Sequence, residues 1–204
     1  VTEAGSTDLF TVVLNAQPTT DVVLTISSGD TGEATVTSSL TFTAANWDTA
    51  QDVTVTGVDD DIVDGSVTST ITVAINDGSS DDNFDAVADQ TVSVTTTDDD
   101  VAGFTIAETE GSTGVTEAGS TDLFTVVLNA QPNSDVVFAI SSSDTGEATV
   151  TSSLTFTSAN WDTAQNVTVT GVDDDIIDGS QVSTSTISII GAISDDNFDA
   201  VADQ

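Results

Sequence analysis

Apolar residues alternate with small polar ones along most of this chain. Phe10, Val12 and Leu14 bracket Thr11 and Val13, and Val22, Leu24 and Ile26 form the next set. Leu40 and Phe42, then Val53 and Val55, then Ile71, Val73 and Ile75, then Val92 and Val94 repeat the two-residue period. That period puts one set of side chains on one face of an extended strand. Thr, Val, Ile and Ser supply the residues, which favours strands further. Turn sequences separate the runs: Asn15-Ala16-Gln17-Pro18, Ser28-Gly29-Asp30-Thr31-Gly32, Asp64-Gly65-Ser66 and Asn76-Asp77-Gly78. No stretch sustains a 3.6-residue period with good helix formers. About seven short strands in roughly 110 residues predict an antiparallel β-sandwich.

The pattern occurs twice. Residues 1–90 recur as residues 115–204 at a constant offset of 114, and 73 of the 90 pairs are identical. A repeat of this length is a whole domain in tandem. The predicted fold class is therefore all-β, two tandem antiparallel immunoglobulin-like sandwiches of about seven strands each. Residues 1–100 form the first, lacking an opening strand, and residues 101–204 the second, lacking a closing strand. Val92–Thr97 read as a last strand and Val101–Ile106 as the first strand of the next domain, with Asp98, Asp99 and Asp100 between them and no Gly/Ser or Pro-rich linker. The lead-in from Thr91 to Gly114 has no counterpart before the first copy. The chain is accordingly expected to be a window of a longer array, or a subunit that polymerises by head-to-tail strand donation. Trp47 and Trp161, in matching Ala-Asn-Trp-Asp loops, are expected to cap the open ends of the two cores.

Charge narrows the function. There is no Lys, Arg or His, and 35 acidic residues give a net charge of −35. No side-chain salt bridge can form, so repulsion is tolerated, screened by salt or neutralised by bound cations. Nucleic acid and anionic lipid surfaces are unsuitable partners. With no Cys there is neither a disulfide nor thiol chemistry. No apolar run is long enough to span a bilayer. Ser–His and Cys–His nucleophilic chemistry is excluded by composition, and no enzyme activity is expected.

The acids recur in fixed places. Glu3 precedes the Phe10 strand; Asp59, Asp60, Asp61 and Asp64 fill the loop after the Val53–Val55 strand; Asp98, Asp99 and Asp100 follow the last strand. Strand ends of a sandwich meet at its poles, so acids distant in sequence can gather there. Calcium takes six to eight oxygen ligands at about 2.3–2.6 Å, and without His or Cys softer metals are disfavoured. A second cluster, Asp77, Asp81, Asp82 and Asp85, reads as a weaker cation site or a solvated turn; the copies diverge there, Asn76-Asp77-Gly78-Ser79 facing Ile190-Gly191-Ala192-Ile193.

These residues carry a resemblance. Val53-Thr-Val-Thr-Gly-Val-Asp-Asp-Asp-Ile-Val-Asp64, backed by Thr96-Thr-Asp-Asp-Asp-Val-Ala-Gly-Phe104, resembles the Calx-beta domain, the calcium-binding sandwich of sodium–calcium exchangers and of large bacterial surface proteins. The resemblance implies Ca2+ held by Glu3, Asp59, Asp60, Asp61, the Ile62 carbonyl, Asp64, Asp98, Asp99 and Asp100. In the second copy it implies Glu117, Asp173, Asp174, Asp175, Ile176 and Asp178. The family's mid-domain acid has no clean match; Asp30 or Glu33, and Asp144 or Glu147, are the substitutes. The acidic run after Asp64 is replaced by Gly65-Ser66, and the second copy ends before a closing triplet. The implied function is a structural repeat of a secreted bacterial surface protein, in a stalk or filament, with calcium stiffening the joints. Its partners are neighbouring repeats or identical subunits, and its location is extracellular or on the cell surface. An adhesin module binding glycan or protein through a sandwich-pole loop is the alternative.

Overall fold

Strand formation follows the alternation. In the computed structural model, which describes residues 1–177 and 179–204, the chain divides into two units. The first comprises Val1–Asp60 with Gly65–Asp99. Its strands are β1 (Thr7–Val12), β2 (Val22–Ser28), β3 (Ala34–Val36), β4 (Ser39–Phe42), β5 (Gln51–Gly57), β6 (Val67–Ile75) and β7 (Gln90–Thr96). They form two sheets, β1-β5-β3 and β4-β2-β6-β7, with antiparallel neighbours throughout. The inward sets meet between the sheets: Val53 of β5 faces Val22, Leu24 and Ile26 of β2, Phe42 of β4 and Ile71 of β6, all buried. Phe10, Val12, Val92 and Val94 pack on this core from its margins. This is the predicted β-sandwich.

The second unit comprises Asp61–Asp64 and Asp100–Gln204. It has β8 (Phe104–Glu108), β9 (Thr121–Leu128), β10 (Val136–Ser142), β11 (Ala148–Val150), β12 (Ser153–Phe156), β13 (Gln165–Gly171) and β14 (Ser185–Ile189). Its sheets are β11-β13-β9-β8 and β12-β10-β14. The core joins Phe124, Val126, Val167 and Val169 of one sheet to Val136, Phe138, Ile140 and Ile187 of the other.

Each unit thus has seven described strands, but not the same seven. β7 closes the first unit beside β6, pairing from Val73↔Gln90 to Val67↔Thr96. β8 opens the second unit beside β9, pairing from Phe104↔Leu128 to Glu108↔Phe124. Losing a neighbour shortens a strand. β6, flanked by β2 and β7, runs nine residues, whereas its counterpart β14, paired with β10 alone, runs five. β1, with β5 as its described neighbour, leaves Leu9 58% exposed.

The copies differ at one central core position. Leu24 of the first copy corresponds to Phe138 of the second. Phe138 packs edge-on against Phe104 of β8, with ring centroids 5.0 Å apart, and against Phe156 at 5.8 Å. The larger ring at 138 fills the space between these two aromatic side chains. Trp161 packs against the edge of the second core, as expected for a cap, and Trp47 is half-buried in its own loop.

Candidate metal centre

One pole of the first unit gathers acids from separate strand ends. Glu3 lies ahead of β1, Glu33 between β2 and β3, and Asp60 just after β5. A carboxylate oxygen from each lies within 4.8 Å of the other two. Glu3 is 1% exposed and Glu33 7% exposed.

The backbone around each acid is fixed locally. Thr2 forms an isolated parallel bridge with Thr97, the Glu3 N–H donates to the Thr97 carbonyl at 3.1 Å, and the Thr97 N–H donates to the Val1 carbonyl at 3.0 Å. The closing strand β7 therefore holds Glu3 in place. Gly57, at the end of β5, lets this segment cross: a Cβ there would overlap the Thr2 carbonyl oxygen. The Asp30 carboxylate accepts from the Gly32 N–H at 3.0 Å, shaping the turn that delivers Glu33. The Glu33 carbonyl accepts from the Val58 N–H at 2.9 Å and from the Thr96 hydroxyl at 3.3 Å. β5 and β7 thus converge on Glu33.

Asp98 leaves β7 with a carboxylate oxygen also within 4.8 Å of one from Glu3. It accepts from the Gly65 N–H at 2.7 Å, and Gly65 adopts a φ of +77°, the left-handed region suited to glycine. Two ionised carboxylates within 4.8 Å of each other repel by at least about 3 kcal/mol at an effective dielectric near 20. An oxygen-only donor set of this charge, with two glutamates buried and Asp60 and Asp98 half-buried, fits a hard divalent cation such as Ca2+, which would remove that repulsion.

Not every expected ligand joins the Glu3–Glu33–Asp60 group. Asp59 and Asp99 are exposed and belong to no three-carboxylate group among the described residues; nor do Asp61 and Asp64. Asp61–Asp64 and Asp100 fall in the second unit. There the Asp61 carbonyl accepts from the Gln131 N–H at 2.6 Å, Ile62 bridges Gln131, and the Val63 carbonyl accepts from the Asn197 amide at 2.7 Å.

In the second copy Glu117 and Glu147 are half-buried where Glu3 and Glu33 are buried, and Asp173, Asp174, Asp175 and Ile176 are exposed. The Ile176 N–H donates to the Asp174 carboxylate at 2.7 Å. Asp178 lies outside the described residues. No three-carboxylate group forms in this copy among the described residues. Gly171 still passes under the Thr116 carbonyl, so the local crossing survives. A strand equivalent to β7 is not among the described neighbours of β14, and among the described residues no backbone bond at Glu117 corresponds to the one that Glu3 makes with Thr97.

The second acidic cluster behaves differently. Asp81, 3% exposed, accepts at one oxygen from the Thr19 N–H (2.6 Å), the Thr19 hydroxyl (2.8 Å) and the Thr20 N–H (3.1 Å). Its other oxygen accepts from the Asn83 N–H (3.0 Å) and amide (2.7 Å). The Asn83 N–H, the Thr19 hydroxyl and the Thr20 and Thr19 N–H groups hold this carboxyl far below its ordinary value, against a smaller opposing effect of burial. Its oxygens are taken up in tying two loops together. Asp85 is shifted the other way, by burial first and then by the charges of Asp77, Asp82 and Asp81. In the second unit the Gly114 and Leu123 N–H groups and the Thr109 hydroxyl lower Asp122 in the same manner as Asp81.

No protein-family profile matches the chain, and no curated protein matches it in sequence. Several solved structures are similar. The calcium-binding domain CBD12 of CALX1.1 is 17% identical with a TM-score of 0.35, over 90% of this chain and 73% of that one. Domains 4 and 5 of the S-layer protein SbsC are 20% identical with a TM-score of 0.31, over 81% of this chain and 64% of that one. The CsuC–CsuE chaperone–tip subunit complex of Csu pili from Acinetobacter baumannii is 11% identical with a TM-score of 0.30, over 92% of each chain. At these identities the similarity concerns fold alone.

Proposed function

We propose that this chain is a calcium-binding structural module of an extracellular surface protein, one repeat pair of a stalk or filament related to the Calx-beta domains. The observation that carries the reading is the Glu3–Glu33–Asp60 group, its glutamates buried and Asp60 half-buried, with oxygens within 4.8 Å, in a chain that has no Lys, Arg or His to neutralise it. Calcium bound there would tie together the segment before β1, the β2–β3 loop, the end of β5 and, through Asp98, the chain leaving β7. That would stiffen the polypeptide where it departs the sandwich. Near-identical repeats suit a load-bearing array better than a unique binding site. Neighbouring modules, in one chain or in identical subunits, are the proposed partners. No helix is long and apolar enough to cross a membrane among the described residues.

The test is a thermal melt in excess chelator and then across a calcium titration at fixed ionic strength. A ligand that binds only the folded state stabilises it by about 2.7 kcal/mol at 100 times its dissociation constant. For a domain this size that is a rise of roughly 10–20 °C in the first unit. A rise no larger than sodium gives at equal ionic strength would make the acids a solvation shell and remove the proposal.

A further inference from the structure

The second unit holds a short segment taken from the loop after β5. Asp61–Asp64 belong to this unit. Gln131 forms an isolated parallel bridge with Ile62 and donates its N–H to the Asp61 carbonyl at 2.6 Å. The Asn197 amide donates to the Val63 carbonyl at 2.7 Å. Ile62 and Val63 are half-buried, whereas Asp61 and Asp64 are exposed. Recognition therefore uses two backbone carbonyls and partly covers an apolar pair.

Local bonds fix the groups that do this. The Gln131 amide donates to the Ser158 carbonyl at 3.2 Å. The Asn197 N–H donates to one oxygen of Asp195 at 3.0 Å, and the Ser134 N–H donates to the other at 2.8 Å. The first unit repeats this frame. Leu14–Pro18 are identical to Leu128–Pro132, and Asp81–Phe84 to Asp195–Phe198. The Gln17 amide donates to the Ala44 carbonyl at 2.8 Å, the Asn83 N–H to one oxygen of Asp81 at 3.0 Å, and the Thr20 N–H to the other at 3.1 Å. One group differs. The Asn83 amide turns back onto Asp81 at 2.7 Å, where the Asn197 amide reaches the Val63 carbonyl. Asp81 keeps the Asn83 N–H if that amide swings outward, so the first unit can adopt the second unit's arrangement by exchanging a single hydrogen bond.

We propose that the face of the first unit bearing Gln17 and Asn83 is a binding site for the Asp-Ile-Val segment of another copy of the repeat, held as Gln131 and Asn197 hold Asp61–Val63. The occupant follows from the second unit, where the same residue types hold that sequence, and from the repeat itself, whose second copy carries Asp175-Ile176-Ile177 at the matching position. A backbone N–H and a neutral amide supply the contacts, so an acidic segment is recognised without any basic side chain. This deepens the structural-module reading by naming what one repeat recognises in another. It is tested in chelator, so the two readings fail separately.

The experiment titrates the whole 204-residue chain, labelled with nitrogen-15, with a synthetic peptide of residues 58–66. Salt is held at about 1 M, where the screening length is about 3 Å and like charge no longer opposes binding. Nuclear magnetic resonance reads the backbone and side-chain amides. The expected result is saturable shifts at the Gln17 N–H and the Asn83 amide, with a dissociation constant on the order of 1 mM. Gln131 and Asn197 should not shift, because their own segment occupies them. A peptide carrying Ile62→Gly and Val63→Gly keeps the charge and should bind on the order of tenfold more weakly. Asn83→Ala in the protein should weaken binding about fivefold, with the melt of the first unit followed alongside. No shift at Gln17 and Asn83 by about 10 mM peptide overturns the proposal. So do equal shifts from a scrambled peptide, or equal shifts at Gln131 and Asn197.

Discussion

Gly57→Ala is the sharpest perturbation of the pole that carries the acids. Gly57 ends β5, and an added Cβ would overlap the Thr2 carbonyl oxygen and lie 2.8 Å from its carbon. Both are backbone atoms, so no side-chain rotation relieves the clash. The relief available is for Val1–Glu3 to lift away from β5. That movement breaks the Glu3 N–H to Thr97 carbonyl bond (3.1 Å) and the Thr97 N–H to Val1 carbonyl bond (3.0 Å). At about 0.5–1.5 kcal/mol net for each bond, and with the packing under Thr2 lost as well, the expected cost is roughly 2–4 kcal/mol. In a unit of this size that lowers the melting temperature by roughly 10–20 °C. Because Glu3 leaves the group, the calcium-induced rise should vanish too. Calorimetry that resolves the two units reads the effect, with Trp47 fluorescence reporting the first unit in a Trp161→Phe background. Gly171→Ala is the internal control. Its Cβ meets Thr116 in the same way, but among the described residues no strand corresponding to β7 anchors Thr116, so fewer bonds are lost and calcium sensitivity should not change. A neutral Gly57→Ala, or equal losses at both glycines, would refute the idea that β7 and this crossing together hold Glu3.

Further expectations concern the other acids and the core. Asp81 is held below its ordinary value of 3.8, so its ionised form adds stability above that value, and this is lost as pH falls below 3.8 toward the lower folded value. Asp81→Asn should flatten the urea midpoint of the first unit between about pH 6 and about pH 2, as well as lowering it at neutral pH. Asp85 carries the opposite sign: its folded value is raised, its ionisation counts against the fold as pH rises, and Asp85→Asn should raise the melting temperature at neutral pH. Phe138→Ala removes a buried ring wedged between Phe104 and Phe156 and should destabilise the second unit by about 3–5 kcal/mol in chemical denaturation, leaving the first unit's transition in place.

Much of the architecture was legible because its cause is periodic. Wherever four or more residues alternated, as from Val22 to Ile26 or from Ile71 to Ile75, a strand formed with that face inward. β3 escaped the pattern because three residues, Ala34–Val36, are too few to display a period; its place is set by pairing with β5. The unequal lengths of β6 and β14 depend on a neighbour from elsewhere in the chain, which no local window contains. For the site, residue type was readable and convergence was not. Glu3, Asp60 and Asp98 stood out as acids at strand ends. Glu33 looked like one of two substitutes until the turn at Asp30–Gly32 was seen to deliver it to the same pole. Asp81 stood in a run of acids that read as either a cation site or a solvated turn, yet its oxygens are occupied by Thr19, Thr20 and Asn83. Thr19 and Thr20 lie some sixty residues away, a distance that composition does not bridge.

The central claim is that the acid group of the first unit binds calcium. Equilibrium dialysis against radioactive calcium at fixed ionic strength tests it most directly, comparing the natural chain with Glu33→Gln and with its repeat counterpart Glu147→Gln. Saturable binding that Glu33→Gln abolishes and Glu147→Gln leaves intact is the predicted result. Binding unchanged by Glu33→Gln, or no binding beyond what magnesium and sodium displace equally, would contradict it.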